Sequence, residues 1–378
     1  MIVNNYDDVF TDKRIKIAEV KEWLAKEHEP CSNYLGQYIP VFTSGTTGNS
    51  AIFIYDEKDW HYILTPNTLE VLSLRDLWLV SKKNFRIAAI VADYDYGTGI
   101  NMFRRNKVFK NKKEISVSLP KEKILDNLKI VNPNGIICYA SVLPDICEAL
   151  ETGKLKVNPK YIFSTGEYLS NELYYKIKSL LPDCTIFNSY TTTETLVIGL
   201  RTKPKQDFQI LTNNNIVELL DETYHPVKLN ESGTTTVTSL HNLITPIIRY
   251  QFSDSAISNE SCRKDKLGVA TLSSLMGRKI CILPIKNNLG KLDKINELRL
   301  HLFIDGVKQI QIISDKLNEI QILYTATKNL DAIVSDEFKS ILKLYNADNT
   351  VKITVKKVSE IPPEKNGKTP QVKVNFNL

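Results

Sequence analysis

KYIFST (160–165), SNELYYKIKSLL (170–181) and CTIFNSY (184–190), closed by TTTE (191–194), read as a strand, a helix, a second strand and a polar strand end. The two short apolar runs, bounded by turn residues, fit buried strands. The stretch between them carries apolar residues at helical spacing behind Ser170, a residue type that caps helices. A strand–helix–strand unit of this kind implies parallel strands with a covering helix. The same alternation extends backwards through RIAAIVA (86–92), GIICYAS (135–141) and the helix PDICEAL (144–150), whose Pro144 suits a first helical position. Ligands of such sheets gather at the carboxyl ends of the strands.

Further outward the pattern changes. QILTN (209–213), IVELLD (216–221), TTTVTSL (234–240) and PIIRYQF (246–252) are strand-rich, with a hairpin or turn around Glu231-Ser232-Gly233. After Leu283 the run PIKNNLGK (284–291) is rich in turn formers. Beyond it, LRLHLFI (298–304), KQIQIIS (308–314), EIQILYT (319–325), a helix SDEFKSILKLY (335–345) and VKITVKKV (351–358) form a small α+β unit. On the amino-terminal side, Thr11 to Glu27 has helical spacing with Thr11 as a cap, and AIFIY (51–55) reads as a short strand. A helix from Asp56 is expected to be interrupted near Pro66. The expected fold class is therefore α/β. A large amino-terminal domain over residues 1–279 has mixed and parallel sheets, covering helices and a β-rich subdomain. A small, mobile α+β carboxyl-terminal domain spans residues 280–378.

Composition narrows the function classes. The chain has 378 residues, 42% hydrophobic and 24% charged, which is far from the signature of disorder. A net charge of +6 is mild for this length and no dense basic block interleaves with aromatics, so no nucleic-acid partner is expected. The six cysteines are scattered without a C-x-x-C pair, as reduced thiols would be, and the five histidines show no metal-ligand spacing. MIVNNYDDVF (1–10) lacks the basic and apolar regions of a secretory signal, and no apolar run is long enough to cross a bilayer. A soluble cytoplasmic protein with no membrane partner is expected. The sequence leaves the oligomeric state open, a homodimer included.

Five motifs carry chemistry. Thr43-Ser44-Gly45-Thr46-Thr47-Gly48 can wrap phosphates, because glycines admit close backbone approach and hydroxyls donate to phosphate oxygens. It is not a Walker loop, and by itself it is as compatible with a plain polar turn. Tyr190-Thr191-Thr192-Thr193-Glu194 sets a carboxylate among hydroxyls at a strand end, suited to holding Mg2+ against phosphate or simply closing the strand. In PIIRYQFSD (246–254), Asp254 can accept both hydroxyls of a ribose, while Arg249 either counters phosphate charge or makes an edge-strand ion pair. Gly277-Arg278 is the fourth motif. The fifth is Pro363-Glu-Lys-Asn-Gly367-Lys368, a lysine on a glycine-softened loop.

Taken together and in order, TSGTTG (43–48), STGE (164–167), YTTTE (190–194), IIRYQFSD (247–254), GR (277–278) and GK (367–368) resemble the adenylate-forming superfamily of acyl-CoA synthetases, peptide-synthetase adenylation domains and luciferases. The spacing is most similar to the phenylacetate-CoA ligase branch, and the segment with Cys262 resembles that branch's cysteine-bearing insert. The resemblance spans the chain from about residue 40, with a shortened region before the phosphate loop. It implies an acid–thiol ligase that uses ATP and Mg2+ to turn a small-molecule carboxylic acid, aryl or hydrophobic, into an acyl-adenylate. Coenzyme A is the implied acyl acceptor, with a carrier protein, a protein cysteine or an amine as alternatives. A binding protein without turnover is the rival reading.

The implied roles are specific. Thr43 to Gly48 hold the β- and γ-phosphates. Gly166 and Glu167 form part of the adenine pocket, and Tyr190 stacks on or beside adenine. Thr193 touches the α-phosphate, Glu194 binds Mg2+, Asp254 holds the ribose hydroxyls and Arg278 lies near ribose and phosphate. Lys368 bridges the substrate carboxylate and the AMP phosphoryl group. The stretch Asp93-Tyr94-Asp95-Tyr96-Gly97-Thr98-Gly99 stands where relatives build the acyl pocket. Several positions depart from the pattern. Asn49-Ser50-Ala51 replaces a lysine after the phosphate loop, Thr191 and Ser253 replace glycines, and Lys279-Ile280-Cys281-Ile282 stands where an acidic hinge residue is usual. The last departure bears on transfer to the thiol more than on adenylation.

Overall fold

A computed structural model describes residues 6–42, 51–71, 73–92, 96–117, 119–203, 206–260, 267–278, 282–296, 300, 302, 304, 306–343, 345–362 and 369–376. Its helices are α1 (Tyr6–Val9), α2 (Ile17–Leu24), α3 (Glu57–Val71), α4 (Leu74–Val80), α5 (Thr98–Arg105), α6 (Lys121–Val131), α7 (Leu143–Glu151), α8 (Asn171–Leu180) and α9 (Asp331–Lys343). A hairpin of β1 (Tyr38–Phe42) and β2 (Ile52–Asp56) precedes the main sheet.

The main sheet has eight strands. Their order is β13 (Thr271–Leu272), β9 (Phe208–Ile210), β8 (Leu196–Arg201), β7 (Thr185–Thr192), β6 (Tyr161–Thr165), β5 (Gly135–Cys138), β3 (Arg86–Val91) and β4 (Asn111–Ser116). The run from β4 through β3, β5 and β6 to β7 is parallel, and the strands beyond β7 are antiparallel. The fold is α/β. Successive residues of a strand face opposite sides, so each parallel strand feeds two cores. Ala88, Ile90, Ile136, Ile162 and Ile186 pack under α6, α7 and α8 through Leu128, Ile146 and Ile177. Ile87, Ala89, Val91, Tyr161 and Phe187 pack on the other side against Val80 of α4 and Ile100 and Phe103 of α5.

The β-rich part is a four-stranded sheet of β10 (Asn215–Leu220), β11 (Ser232–Ser239), β12 (Tyr250–Ile257) and β14 (Ser274–Arg278). Further on, β15 (Ile282–Lys286) and β16 (Leu292–Asn296) form a hairpin, so the turn-rich run at 284–291 closes a pair of strands rather than separating units. A second four-stranded sheet orders β19 (Lys352–Lys357), β18 (Glu319–Ala326), β17 (Val307–Lys316) and β20 (Val372–Val374), with α9 against it. One apolar cluster gathers Leu283, Ile285, Ile295, Ile322, Tyr324 and Phe338, so that hairpin shares its core with this sheet.

Three local expectations change. The helix expected from Thr11 begins only at Ile17, because Thr11 Oγ1 donates to the Leu243 carbonyl at 2.8 Å and a carboxylate oxygen of Asp7 takes the Ile17 amide at 2.8 Å. That carboxylate satisfies one of the donors a helix start leaves open. The helix after Asp56 runs through Pro66 without interruption. A proline there forfeits the hydrogen bond to the carbonyl of residue 62, and Tyr62 lies on the exposed face of the helix. The strand expected at 298–304 is absent at the described positions 300, 302 and 304.

Burial also separates the thiols. Cys138, Cys147 and Cys184 are buried, whereas Cys31 is exposed. Desolvation pushes the Cys147 thiol up to about 11 and Cys184 up to about 12, with Cys138 higher still. Because the thiolate is the nucleophile, iodoacetamide at pH 8 should alkylate Cys31 in the native protein and spare these three until denaturant is added. Peptide mass spectrometry reads this directly, and native-state alkylation of Cys138 would contradict the packing described.

Candidate active site

The carboxyl ends of β6 and β7 lie side by side, with Thr165 opposite Ser189. Gly166 leaves β6 with φ +75°, a conformation that glycine adopts without a Cβ clash. This turn delivers Glu167, whose two carboxylate oxygens are both engaged. Oε2 accepts the Ser141 amide at 2.7 Å and Oε1 accepts the Thr369 amide at 3.1 Å.

At the end of β7 the pairing with β8 slips between Tyr190 and Thr191. A bulge of this sort re-aims the residues that follow. Thr191 Oγ1 meets Thr165 Oγ1 at 2.9 Å, Thr192 Oγ1 meets Thr195 Oγ1 at 3.1 Å, and Thr193 Oγ1 accepts from Thr98 Oγ1 at 3.0 Å. Below them, the fully buried Tyr55 turns its hydroxyl toward the Thr193 carbonyl at 2.8 Å and the Glu194 carbonyl at 2.7 Å. Burial, and then the nearby Glu194 charge, push the Tyr55 hydroxyl well above the ordinary phenol range, which keeps it a donor. The segment carrying Thr193 and Glu194 is thus pinned from beneath by β2 and from the side by the start of α5.

Asp254 sits on β12 directly across from Arg278 on β14. Its Oδ2 accepts a 2.6 Å hydrogen bond from the Tyr190 hydroxyl. Burial and then the Asp254 charge push Tyr190 well above the ordinary phenol range. The ring of Tyr190 is 6% exposed and belongs to the core formed with Ile198, Phe208, Val217 and Phe252. Its hydroxyl, rather than its ring face, is therefore what Tyr190 brings to the site. Arg249 makes the edge ion pair: its Nε lies 3.1 Å from Glu218, and its side chain is 54% exposed.

Of the residues expected from sequence, the structure bonds Tyr190 to Asp254 and holds Thr193 and Glu194 in the segment that leaves β7 just beyond Tyr190, while Gly166 and Glu167 leave the adjacent strand β6. Arg278 is placed by its backbone alone. Thr43, Ser44, Gly45, Thr46, Thr47, Gly48 and Lys368 lie outside the described residues, as do Asp93, Tyr94, Asp95, Cys262 and residues 279–281. Their described neighbours still mark positions. Phe42 bridges Gly97 in parallel, so β1 ends beside the start of α5. Thr369 follows Lys368 in the chain and contacts Glu167. Tyr96 packs against Trp23, ring centroids 5.1 Å apart.

Sequence reasoning missed Tyr55, Ser141 and Thr369, and it named Thr98 only within the acyl-pocket stretch, without its contact to Thr193. Tyr55 carried a signal, since a tyrosine ending an apolar strand brings a hydroxyl that must find a partner when buried. The others act through backbone amides or a single hydroxyl and leave no pattern.

No family model and no curated protein sequence matches this chain. Solved structures do. A 2-hydroxyisobutyryl-CoA ligase in the postadenylation state, in complex with 2-HIB-AMP, is 15% identical. The match covers 95% of this chain and 78% of that one, with a TM-score of 0.66. The same ligase in an open conformation and in its thioesterification state gives 0.53 and 0.52, at 14% and 15% identity, covering 95% and 96% of this chain and 80% and 79% of that one. The anthranilate CoA ligase AuaEII in complex with anthranoyl-AMP is 12% identical, with 87% of this chain and 65% of that one covered and a TM-score of 0.60. The O-succinylbenzoate coenzyme A synthetase MenE of Bacillus subtilis, in complex with AMP, is 13% identical, with 88% and 67% covered and a TM-score of 0.57. The fold of this chain is the one these adenylate-forming ligases share.

Proposed function

We propose that this chain, built on that shared fold, activates a carboxylic acid by joining it to the AMP moiety of ATP and then passes the acyl group to a thiol, coenzyme A by default. The observation that supports this most is that Glu167, Thr193 and Glu194 follow the carboxyl ends of the neighbouring strands β6 and β7, while Asp254 of the second sheet is tied to β7 through the Tyr190 hydroxyl.

In the proposed first step a carboxylate oxygen attacks the α-phosphorus in line. The bond from the α-phosphorus to the bridging oxygen breaks, and pyrophosphate leaves with that electron pair. No proton moves, so the protein's task is to orient the groups and stabilise charge. The loop Thr43 to Gly48 would hold the β- and γ-phosphates. Gly166 and Glu167 would border the adenine, and Asp254, held by Tyr190, would accept the ribose hydroxyls. Thr193 and Arg278 would donate to the α-phosphate and its surroundings, and Lys368 would bridge the reacting carboxylate and phosphoryl group.

The residues present fit a magnesium ion of one kind only. Among the described residues no three His, Cys, Asp or Glu side chains cluster as a cage. Glu194 supplies a single carboxylate by following Thr191, Thr192 and Thr193 at the end of β7, and one carboxylate with substrate phosphates is the usual magnesium arrangement. When bound, the ion would neutralise phosphate charge. Glu194→Gln should raise the Mg2+ concentration needed for half-maximal activity about tenfold or more, and an unchanged requirement would remove Glu194 from the metal's surroundings.

Two observations bear on the finer reading. The chain scores higher on the postadenylation form of the 2-hydroxyisobutyryl-CoA ligase than on its thioesterification form, which supports an adenylating arrangement of residues 280–378 as the small domain. Tyr96 lies tilted against Trp23 and edge-on to His28 in an aromatic group, which supports an aryl or hydrophobic acid. The altered positions at 49–51 and 279–282 favour, as the rival, a nucleotide-binding protein without turnover. Exchange of labelled pyrophosphate into ATP across a panel of carboxylic acids decides between them. Acid-dependent exchange supports the ligase. Exchange with none, alongside measurable ATP binding, supports the rival. Product mass spectrometry with and without coenzyme A then tests the acceptor.

A further inference from the structure

The carboxyl-terminal unit is contacted at two places, by Glu167 beyond β6 and by Glu148 of α7. Just before the start of α7, the Ser141 amide and the Thr369 amide share the Glu167 carboxylate, at 2.7 and 3.1 Å. Near the end of α7, Glu148 pairs with Lys308 of β17 at 2.7 Å, with the two side chains 30% and 31% exposed. Glu148 is also bonded by Lys121, which in turn reaches Asp145 at 2.6 Å. Burial opposes ionisation of Glu148, but the hydrogen bonds from Lys121 and Lys308 outweigh it and hold its carboxyl down at about 2. The receiving charge is therefore present at any physiological pH.

Ser141 and Glu148 are seven positions apart, a separation of roughly 10 Å along a helical segment. One contact between two bodies leaves a pivot, whereas two contacts this far apart fix an orientation. We propose that Lys308 and Glu167 are positioning residues that dock the carboxyl-terminal unit on α7 and the end of β6 and so set where Thr369 stands relative to the proposed adenylate site. Its kinetic consequence rests on the adenylation reading, but the docking itself does not.

Lys308 touches neither nucleotide nor acid in this scheme, so its removal changes how often the docked arrangement is populated, not how well it binds ATP. Lys308→Ala should lower kcat for acid-dependent pyrophosphate exchange about three- to tenfold with the KM for ATP within about twofold. Lys308→Arg should restore most of that loss. Salt should narrow the difference: between 0.05 and 0.5 M NaCl the wild type should fall part of the way towards the variant, whose rate stays flat, because screening reaches a pair about a third exposed only in part.

A readout free of any reaction separates the two ideas. In hydrogen exchange of the full chain without ligands, Lys308→Ala should speed deuterium uptake in peptides covering Ser141 and Thr369, with the central-sheet peptides unchanged. That result supports docking even if no acid sustains exchange, in which case the ligase reading alone fails. Unchanged uptake at both peptides overturns the docking proposal whatever the kinetics. Faster uptake with an unchanged kcat overturns the positioning role.

Discussion

Replacing Lys368 with alanine is expected to cut acid-dependent pyrophosphate exchange by about 10²–10³-fold while leaving ATP affinity within about twofold. The argument is one of differential charge. In the proposed reaction negative charge gathers on oxygens around the α-phosphorus only as the acid's oxygen bonds to it. An ammonium that meets those oxygens in the docked arrangement is worth most at that moment. In the proposed scheme ground-state ATP would be gripped elsewhere, by the hydroxyl-rich loop and by Asp254. Lys368 stands next in sequence to Thr369, whose amide binds the Glu167 carboxylate. The chain therefore holds the lysine's neighbour against the proposed adenine pocket while contributing nothing through that contact to phosphate binding. Lys368→Arg keeps the charge but spreads it over a planar fork, and so should recover only part of the rate. Exchange kinetics and calorimetric ATP binding, measured on the same preparations, check the split. A parallel loss of affinity and rate would place the lysine in ground-state binding instead.

Much of this arrangement was legible in the sequence, and the parts that were not share a physical reason. The parallel strands RIAAIVA, GIICYAS, KYIFST and CTIFNSY declared themselves, because a strand buried on both faces has no polar positions to confuse the pattern. The edge strand β4 was missed, since NKKEIS has one face in solvent and reads as polar. Ser170 announced the cap of α8 and makes it, accepting the Leu173 amide at 3.1 Å. Thr11, equally suited by type, spends its hydroxyl on Leu243, a contact spanning most of the chain that no local rule can foresee. The site shows the same division. The place of Glu194 just beyond β7 was readable because the apolar run before it marks the strand, whereas β12 runs on past Asp254 to Ile257. The burial of the Tyr190 ring was not, because a period-two pattern tells which side a residue faces and not which core that side meets. The double use of Glu167 was hidden too, since both of its partners are backbone amides, present at almost every position.

Asp254→Ala is expected to weaken ATP binding by about ten- to a hundredfold and to destabilise the fold by about 1–3 kcal/mol, two effects with different origins. The first follows from losing the carboxylate proposed to accept the ribose hydroxyls. The second follows from Tyr190. Its hydroxyl now donates to Asp254 at 2.6 Å from a residue 6% exposed. Without an acceptor, that donor stays buried and bears its full desolvation cost. A partner variant separates the two. Tyr190→Phe removes the donor and should lose about 1 kcal/mol of stability, with a smaller loss of affinity because Asp254 keeps its charge but is held in place less firmly. In Tyr190→Phe/Asp254→Ala no orphaned hydroxyl remains. The double variant should therefore be more stable than Asp254→Ala alone while binding ATP no better, a non-additivity expected of two groups in direct contact. Chemical denaturation of the four proteins and ATP titrations of each supply the cycle. If stabilities add and the double variant is the least stable, Tyr190 and Asp254 are not coupled as described. If Asp254→Ala binds ATP like the wild type, Asp254 serves the tyrosine and not the nucleotide.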